Sequence, residues 1–123
     1  MIVSTARVAA DLLAPRFSGV AGEKLVILHL DEERRLLAAV EAAQSPEGAA
    51  LPLRDILEEA LRLDATGLVV ARNHANGDAQ PSLAEIEATR QLAEAALPLG
   101  IRLHDHLIFA GGECRSFRDL GLL

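Results

Sequence analysis

Tryptophan and tyrosine are absent from this 123-residue chain, and its aromatic side chains are limited to three phenylalanines. So few rings leave little surface on which nucleic-acid bases could stack. Basic residues are also in the minority, since 12 Lys and Arg stand against 18 Asp and Glu, which gives a net charge of −6. Proteins that bind nucleic acid need surplus positive charge to displace the counterions of the phosphates. We therefore expect that DNA is not a partner of this chain.

Cysteine occurs once, at Cys114, which excludes a disulfide within the chain and a zinc site built from several cysteines. A lone thiol is typical of a reducing compartment. No apolar run approaches the ~20 residues that span a bilayer. Asp11 interrupts the apolar stretch near the N-terminus that a secretory signal would need. The sequence therefore predicts a cytoplasmic protein without a membrane partner.

Half of the residues are hydrophobic, and the length suits one domain over residues 1–123. Periodicity predicts helices at residues 4–13, 53–63 and 82–97, and strands at residues 24–30, 35–43, 67–71, 101–110 and 113–117. Pro15 is expected to end the first helix, and loops are expected at residues 44–50 and 72–81. This order predicts an α/β fold with three layers, in which helices flank a central mixed sheet.

Residues 70–86, with the sequence VARNHANGDAQPSLAEI, carry the most chemical information. They leave a predicted buried strand, cross a polar loop and enter a helix at Ser82, and functional side chains often gather at such transitions. His74 and Glu85 are candidate metal ligands within this stretch. Ser82 and Glu85 also have the Ser-x-x-Glu spacing of a capping box, which is a structural arrangement. The residues alone favour the capping role over the ligand role.

The order of short motifs resembles the RadC-like branch of the JAB/MPN (JAMM) metallopeptidase family over nearly the whole chain. The family pattern His-Asn-His-Pro-Ser-Gly, Pro-Ser and Asp is matched by Arg72-Asn73-His74-Ala75-Asn76-Gly77, Pro81-Ser82 and Glu85. Further matches are Thr89-Arg90, Leu99-Gly100-Ile101, Asp105-His106-Leu107-Ile108, Ser116-Phe117 and Gly121. The resemblance implies a JAB/MPN fold, similar to that of cytidine deaminases, and zinc-dependent hydrolysis of peptide or isopeptide bonds. This branch of the family was once linked to DNA repair.

In that family two histidines and an acid hold zinc, a serine stabilises the oxyanion, and an upstream glutamate is the general base. The resemblance implies that His74 and Glu85 are the remaining ligands and that Ser82 is catalytic. Arg72 stands at the position of the first histidine, and a guanidinium has no lone pair to give to zinc. Glu41 is the acid nearest to the expected general base. It would need a shift of one or two residues, and a shift of one turns a strand side chain to the other face.

The sequence therefore predicts a RadC-like domain with a degenerate zinc motif, in which Arg72 pairs with Glu85 in place of the metal. We expect an impaired enzyme or a binding module whose partner is a protein or peptide. The alternative is an active zinc hydrolase that uses His74, Glu85 and an unidentified third ligand. Zinc is the cofactor that the resemblance implies, and no other is predicted.

The remaining histidines and the cysteine have structural interpretations beside functional ones. His104 and His106 repeat the His-x-His spacing and could bind a metal together, but hydrogen-bonded structural roles are favoured. His29 lies in an apolar strand and is expected to be a core or edge histidine whose hydrogen bonds are satisfied. Cys114 is expected to be a semi-buried structural thiol because nothing in the sequence signals an activating base.

Overall fold

A mixed sheet forms the centre of the molecule, and a computed structural model describes residues 1–42 and 50–123. The helices are α1 (Ala6–Phe17), α2 (Leu53–Arg62) and α3 (Leu83–Ala96), and the strands are β1 (Leu25–Leu30), β2 (Leu36–Ala42), β3 (Gly67–Asn73), β4 (Arg102–Ala110) and β5 (Glu113–Ser116). The strand order is β2-β1-β3-β4-β5. Strands β3 and β4 are parallel, and the other neighbours are antiparallel. The predicted α/β class with a mixed sheet is confirmed.

Strands β1 and β3 are buried along their whole length, because helices cover both faces of the sheet. Leu25 and Ile27 pack with residues of α2 and α3 on one face. Val26 and Leu28 pack with residues of α1 on the other face. Nearly continuous apolar runs are typical of strands buried on both sides. The three layers are therefore α1, the sheet, and the pair α2 and α3.

Two predicted boundaries are wrong. Helix α1 continues past Pro15 to Phe17, although proline removes a backbone donor. The ring of Phe17 stacks on Phe109, with 4.8 Å between the ring centroids, and this packing holds the last turn. Strand β3 continues through Arg72 and Asn73, which remain paired with β4, so the loop begins after Asn73. Most of the loop predicted at residues 44–50 lies outside the described residues.

The turn between β4 and β5 lies against the loop that follows β3. Gly111 has φ 57°, and a Cβ atom there would stand 2.8 Å from the Gly77 carbonyl oxygen. Glycine at this position allows the two backbones to approach closely. The loop after β3 is thus fixed between the hairpin and the start of α3. No helix within the described ranges is long and apolar enough to cross a membrane.

Candidate functional site

Arg72, His74 and Glu85 meet where β3 ends and α3 begins. Arg72 and His74 are two residues apart on extended backbone, so their side chains project to the same side. Arg72 Nη1 lies 3.3 Å from Glu85 Oε2, and His74 Nε2 lies 2.6 Å from the same oxygen. The side chains of Arg72 and Glu85 are only 3% and 6% exposed. The predicted pairing of Arg72 with Glu85 is therefore confirmed, and His74 joins it.

The N-terminal cap of α3 aims Glu85 at this cluster. Ser82 Oγ accepts from the Glu85 amide at 3.1 Å, and Glu85 Oε1 accepts from the Ser82 amide at 2.9 Å. This is the capping box that the spacing allowed. One carboxylate oxygen of Glu85 therefore caps the helix, while the other faces Arg72 and His74. Ser82 has the structural role here, and its catalytic assignment stays a prediction.

Both ring nitrogens of His74 face oxygen acceptors. Nδ1 donates to the Asp78 carbonyl at 2.7 Å, and Nε2 donates to Glu85 Oε2. Burial by itself lowers the pKa of His74, but these hydrogen bonds and the charges of Glu85 and Glu23 outweigh it and raise the pKa overall. Burial likewise acts to raise the pKa of Glu85, but the Ser82 amide, His74 and the charge of Arg72 together lower it. The cluster therefore favours protonated His74 and ionised Glu85, so that two cationic side chains, Arg72 and His74, face one carboxylate.

We expect NMR titration to give His74 a pKa above the ordinary value of 6.5. A raised folded-state pKa means that its stabilising contribution is complete below the unfolded-state pKa. That contribution is lost as the pH rises through the folded-state value. Glu85→Gln should lower the pKa of His74, whereas Glu87→Gln on the exposed side of α3 should leave it unchanged. A His74 pKa at or below the ordinary value would contradict this electrostatic description.

A second layer of buried hydrogen bonds fastens α3 to β4. Thr89 Oγ1 donates to the Glu85 carbonyl at 2.7 Å and lies 2.7 Å from His106 Nδ1. Since the hydroxyl proton is used, His106 donates from Nδ1. Burial lowers the pKa of His106 well below its usual value, so the ring is neutral. The structural role predicted for His106 is confirmed, but no sequence pattern had pointed to Thr89 as its partner.

His104 and His106 do not act as a pair. His106 is fully buried, while His104 Nδ1 accepts a hydrogen bond from the guanidinium of Arg34 at 2.8 Å. His29 is 1% exposed, so its predicted place in the core is confirmed. The prediction that its hydrogen bonds are satisfied is wrong, because Nδ1 has no hydrogen-bond partner among the described residues. The prediction for Cys114 is wrong because this residue is exposed at the β4–β5 hairpin. Partial desolvation and neighbouring carboxylates still raise the pKa of its thiol to about 11, so it is a poor nucleophile at neutral pH.

Glu41, the acid nearest to the expected general base, lies apart from the cluster, as the one-residue shift in register predicts. Glu41 stands opposite Val26 in the sheet, whereas Arg72 stands opposite Leu25. Neighbouring residues of a strand point to opposite faces, so Glu41 and Arg72 are on different sides of the sheet. The carboxylate of Glu41 is 62% exposed and lies 4.0 Å from Lys24 Nζ. A shift of one residue along β2 would be needed to turn this side chain to the face on which Arg72 lies.

Glu23, which belongs to no motif, is an acid that the structure does bring to this loop. Its Oε2 accepts from the Ala75 amide at 3.2 Å. Its charge also helps to raise the pKa of His74 and opposes the lowering of the Arg72 pKa by burial. No sequence pattern in the segment before β1 indicates this contact, because the two residues are 52 positions apart along the chain.

Zinc of the family type does not fit these residues. A catalytic zinc site needs three protein ligands and one open position, but the cluster supplies two donors, His74 and Glu85. The third place is taken by the cationic side chain of Arg72, which faces the same Glu85 oxygen as His74. Among the residues that the structure describes, no three His, Cys, Asp or Glu side chains are grouped to hold a metal ion.

A groove of about 650 Å³ opens beside His74. Helix α1, the loop after β3 and the β4–β5 turn form its walls. The stacked rings of Phe17 and Phe109 lie in it, and Asp11 and Glu113 are exposed along it. A surface of mixed polar and apolar groups with acidic side chains along it suits an extended chain that carries a basic residue.

The mixed sheet with helices on both faces is consistent with the JAB class of α/β domains. The sequence model of the RadC-like JAB domain matches residues 3–122. The chain therefore belongs to the RadC-like JAB domain family.

Relatives of the chain carry the name UPF0758 protein in several organisms. The relative from Rhodobacter capsulatus is 40% identical over 102 residues, which cover 82% of this chain and 48% of the relative. The relative from Cellvibrio japonicus is 35% identical over 123 residues, which cover 99% of this chain and 55% of the relative. The chain thus spans about half the length of the curated relatives that it matches. Their names state no activity, metal or partner.

Proposed function

We propose that this chain is a RadC-like JAB domain that binds a peptide segment of another protein without hydrolysing it. The observation that carries the proposal is the buried ion pair between Arg72 and Glu85, at 3.3 Å. Arg72 brings a permanent positive charge to the position of a metal ligand. That charge balances Glu85 and repels a dication. The metal centre of the family is thereby replaced by a charge cluster made only of protein groups.

The remaining chemistry of the cluster also favours binding over hydrolysis. Hydrolysis at a JAB-type centre needs a general base near the activated water. Glu41, the candidate for that role, lies on the other face of the sheet from Arg72. Ser82 Oγ accepts the amide of Glu85 and serves as the helix cap. The groove beside the cluster carries mixed polar and apolar surface with exposed acidic groups, so it offers a place for a peptide although the cluster lacks the parts that hydrolysis needs.

The test uses labelled, unstructured hexapeptides that contain lysine. Fluorescence anisotropy measures their binding, and a cleavage assay with and without added zinc measures their hydrolysis. The wild type is expected to bind such peptides saturably and to leave them intact. Zinc-dependent cleavage that disappears in His74→Ala would overturn the proposal in favour of the alternative, an active zinc hydrolase.

A long side chain placed in the groove should abolish this binding. Ala14 is exposed on α1 and lines the groove, so Ala14→Arg is expected to raise the peptide Kd at least tenfold by blocking the groove and offsetting its acidic charge. Ala95→Arg is the matched control, because Ala95 is exposed on α3 away from the groove. Both variants change the net charge equally. Equal binding by the two variants would show that the groove is not the peptide site.

A further inference from the structure

A second charged cluster surrounds His104 at the opposite end of the sheet from Arg72. We call it the arginine cluster, and its members are Arg34, Arg102 and Arg118. Arg34 lies in the turn between β1 and β2, Arg102 is the first residue of β4, and Arg118 follows β5. Arg102 pairs with Gly67, the first residue of β3, whereas the candidate site lies beyond the last residue of that strand.

A bulge in β4 and a glycine in β3 create the place for the His104 ring. Leu68 pairs with Leu103 and Val69 pairs with Asp105, so His104 is the extra residue of the bulge. Bulges commonly turn a side chain in a new direction. A Cβ atom at Gly67 would overlap the His104 ring. The backbone of both strands is therefore adapted to this imidazole.

His104 fixes two guanidiniums of the cluster. Arg34 Nη2 donates to His104 Nδ1 at 2.8 Å, and Arg34 Nη1 donates to the Ser4 carbonyl at 2.7 Å. Arg118 Nε donates to the His104 carbonyl at 2.7 Å. Arg34 has φ 63°, a left-handed conformation that is uncommon for residues other than glycine. These contacts tie both guanidiniums to His104, one to its ring and one to its carbonyl, without using all of their N–H groups.

The positive charge of the arginine cluster is not neutralised by ion pairs. Several arginines elsewhere lie within ion-pair distance of carboxylates, namely Arg35, Arg54, Arg62, Arg72, Arg90 and Arg115. Arg34, Arg102 and Arg118 form no such pair with any residue that the structure describes. Burial and the charges of these three arginines lower the pKa of His104 to about 4, so its ring is neutral and adds no charge.

Three carboxylates are close to the cluster, and two of them are already engaged. Asp105 accepts from the amides of Arg118 and His106 and from the Ser116 hydroxyl. Asp31 accepts from the amides of Glu33 and Arg35 at 2.9 and 2.8 Å. Glu32 lines a cavity of about 350 Å³ together with Asp31, Arg102 and His104. Glu32 is exposed and makes no ion pair within the described part of the chain. Its negative charge would repel an anion bound to the cluster.

We propose that the arginine cluster binds a doubly charged oxyanion of the phosphate type. Guanidinium groups present N–H donors in a fixed fork that matches the oxygens of such an anion. The Nη groups of Arg118 have no hydrogen-bond partner within the described ranges and remain available, as do the donors of Arg102. The net charge of −6 repels anions from the molecule as a whole, so binding here depends on local contacts. This inference is independent of the proposed peptide groove.

The test is an NMR titration of the ¹⁵N-labelled protein with sulfate, which stays doubly charged over the pH range of the His104 titration. The ionic strength is kept constant with chloride. We expect saturable shifts at the amides of Gly67 and His104 and a rise in the His104 pKa, because a bound anion offsets the arginines. Arg102→Gln and Arg118→Gln should each weaken binding at least tenfold. Arg90→Gln, an exposed arginine on α3, should not change it.

Further arms separate the sources of the oxyanion. Inorganic phosphate near neutral pH should compete with sulfate, and Glu32→Gln should strengthen the binding of both. The proposal would be overturned if chloride alone reproduced the NMR shifts, or if the shifts survived Arg102→Gln and Arg118→Gln. Either result would show that the shifts come from general ionic screening. A short DNA duplex that saturates the same amides far below the phosphate concentration would overturn it in favour of a nucleic-acid backbone.

Discussion

Glu85→Gln is expected to lower the free energy of unfolding by about 3 kcal/mol, because it removes the carboxylate that faces the buried charge of Arg72 at 3.3 Å. Glutamine keeps the shape of the side chain and an oxygen for the amide of Ser82, so the capping box remains available. The loss is a large part of the stability of a small domain, which is about 5–15 kcal/mol in total. Urea unfolding at neutral pH, followed by circular dichroism, measures it.

The same substitution at Glu87, on the same helix, is the control. Glu87 contacts Arg90 at the surface, where the side chains are 50% and 64% exposed. Such exposed pairs contribute little, so Glu87→Gln should leave the unfolding midpoint almost unchanged. Removing both buried charges, as in Arg72→Gln with Glu85→Gln, should recover part of the stability. Equal losses at Glu85 and Glu87 would show that the buried pair has no special electrostatic role.

The sequence predicts the centre of this fold well because burial there leaves a direct pattern. The apolar runs of β1 and β3 are buried as expected. The spacing of Ser82 and Glu85 predicts the cap of α3. These features depend on residues that are close in sequence or follow a strong periodicity. The pairing of Arg72 with Glu85 is predicted from the resemblance instead, because Arg72 stands at the position of the first histidine ligand. Local rules therefore account for the sheet and the helix cap, and the resemblance accounts for the ion pair.

Features that depend on contacts distant in sequence are not predictable in this way. The last turn of α1 survives Pro15 because Phe17 stacks on Phe109 of β4. The bulge that turns His104 toward Arg34 is a property of the pairing between β3 and β4. Propensity and spacing carry no information on such pairings, so the arginine cluster has no counterpart in the sequence analysis.

Arg72→His should convert the charge cluster into a metal site. The new imidazole would lie two residues before His74 on the same side of extended backbone. Without the guanidinium, Glu85 Oε2 could face a dication, and three ligands with one open position define a catalytic type of zinc site. We expect this variant to bind one zinc per chain roughly 100-fold more tightly than the wild type. Competition with a chromophoric chelator measures the affinity, and the absorption of cobalt reports tetrahedral geometry.

Arg72→Gln separates the two effects of that substitution, because it removes the positive charge without adding a ligand. If repulsion by the guanidinium were the whole obstacle, glutamine would restore zinc binding as well as histidine does. If the donor set decides, histidine alone restores it, and His74→Ala in the same background abolishes it. Failure of Arg72→His to gain zinc would mean that Glu85 stays committed to the cap of α3 and to His74. In that case the loss of the metal centre involves the geometry of the helix as well as the residue at position 72.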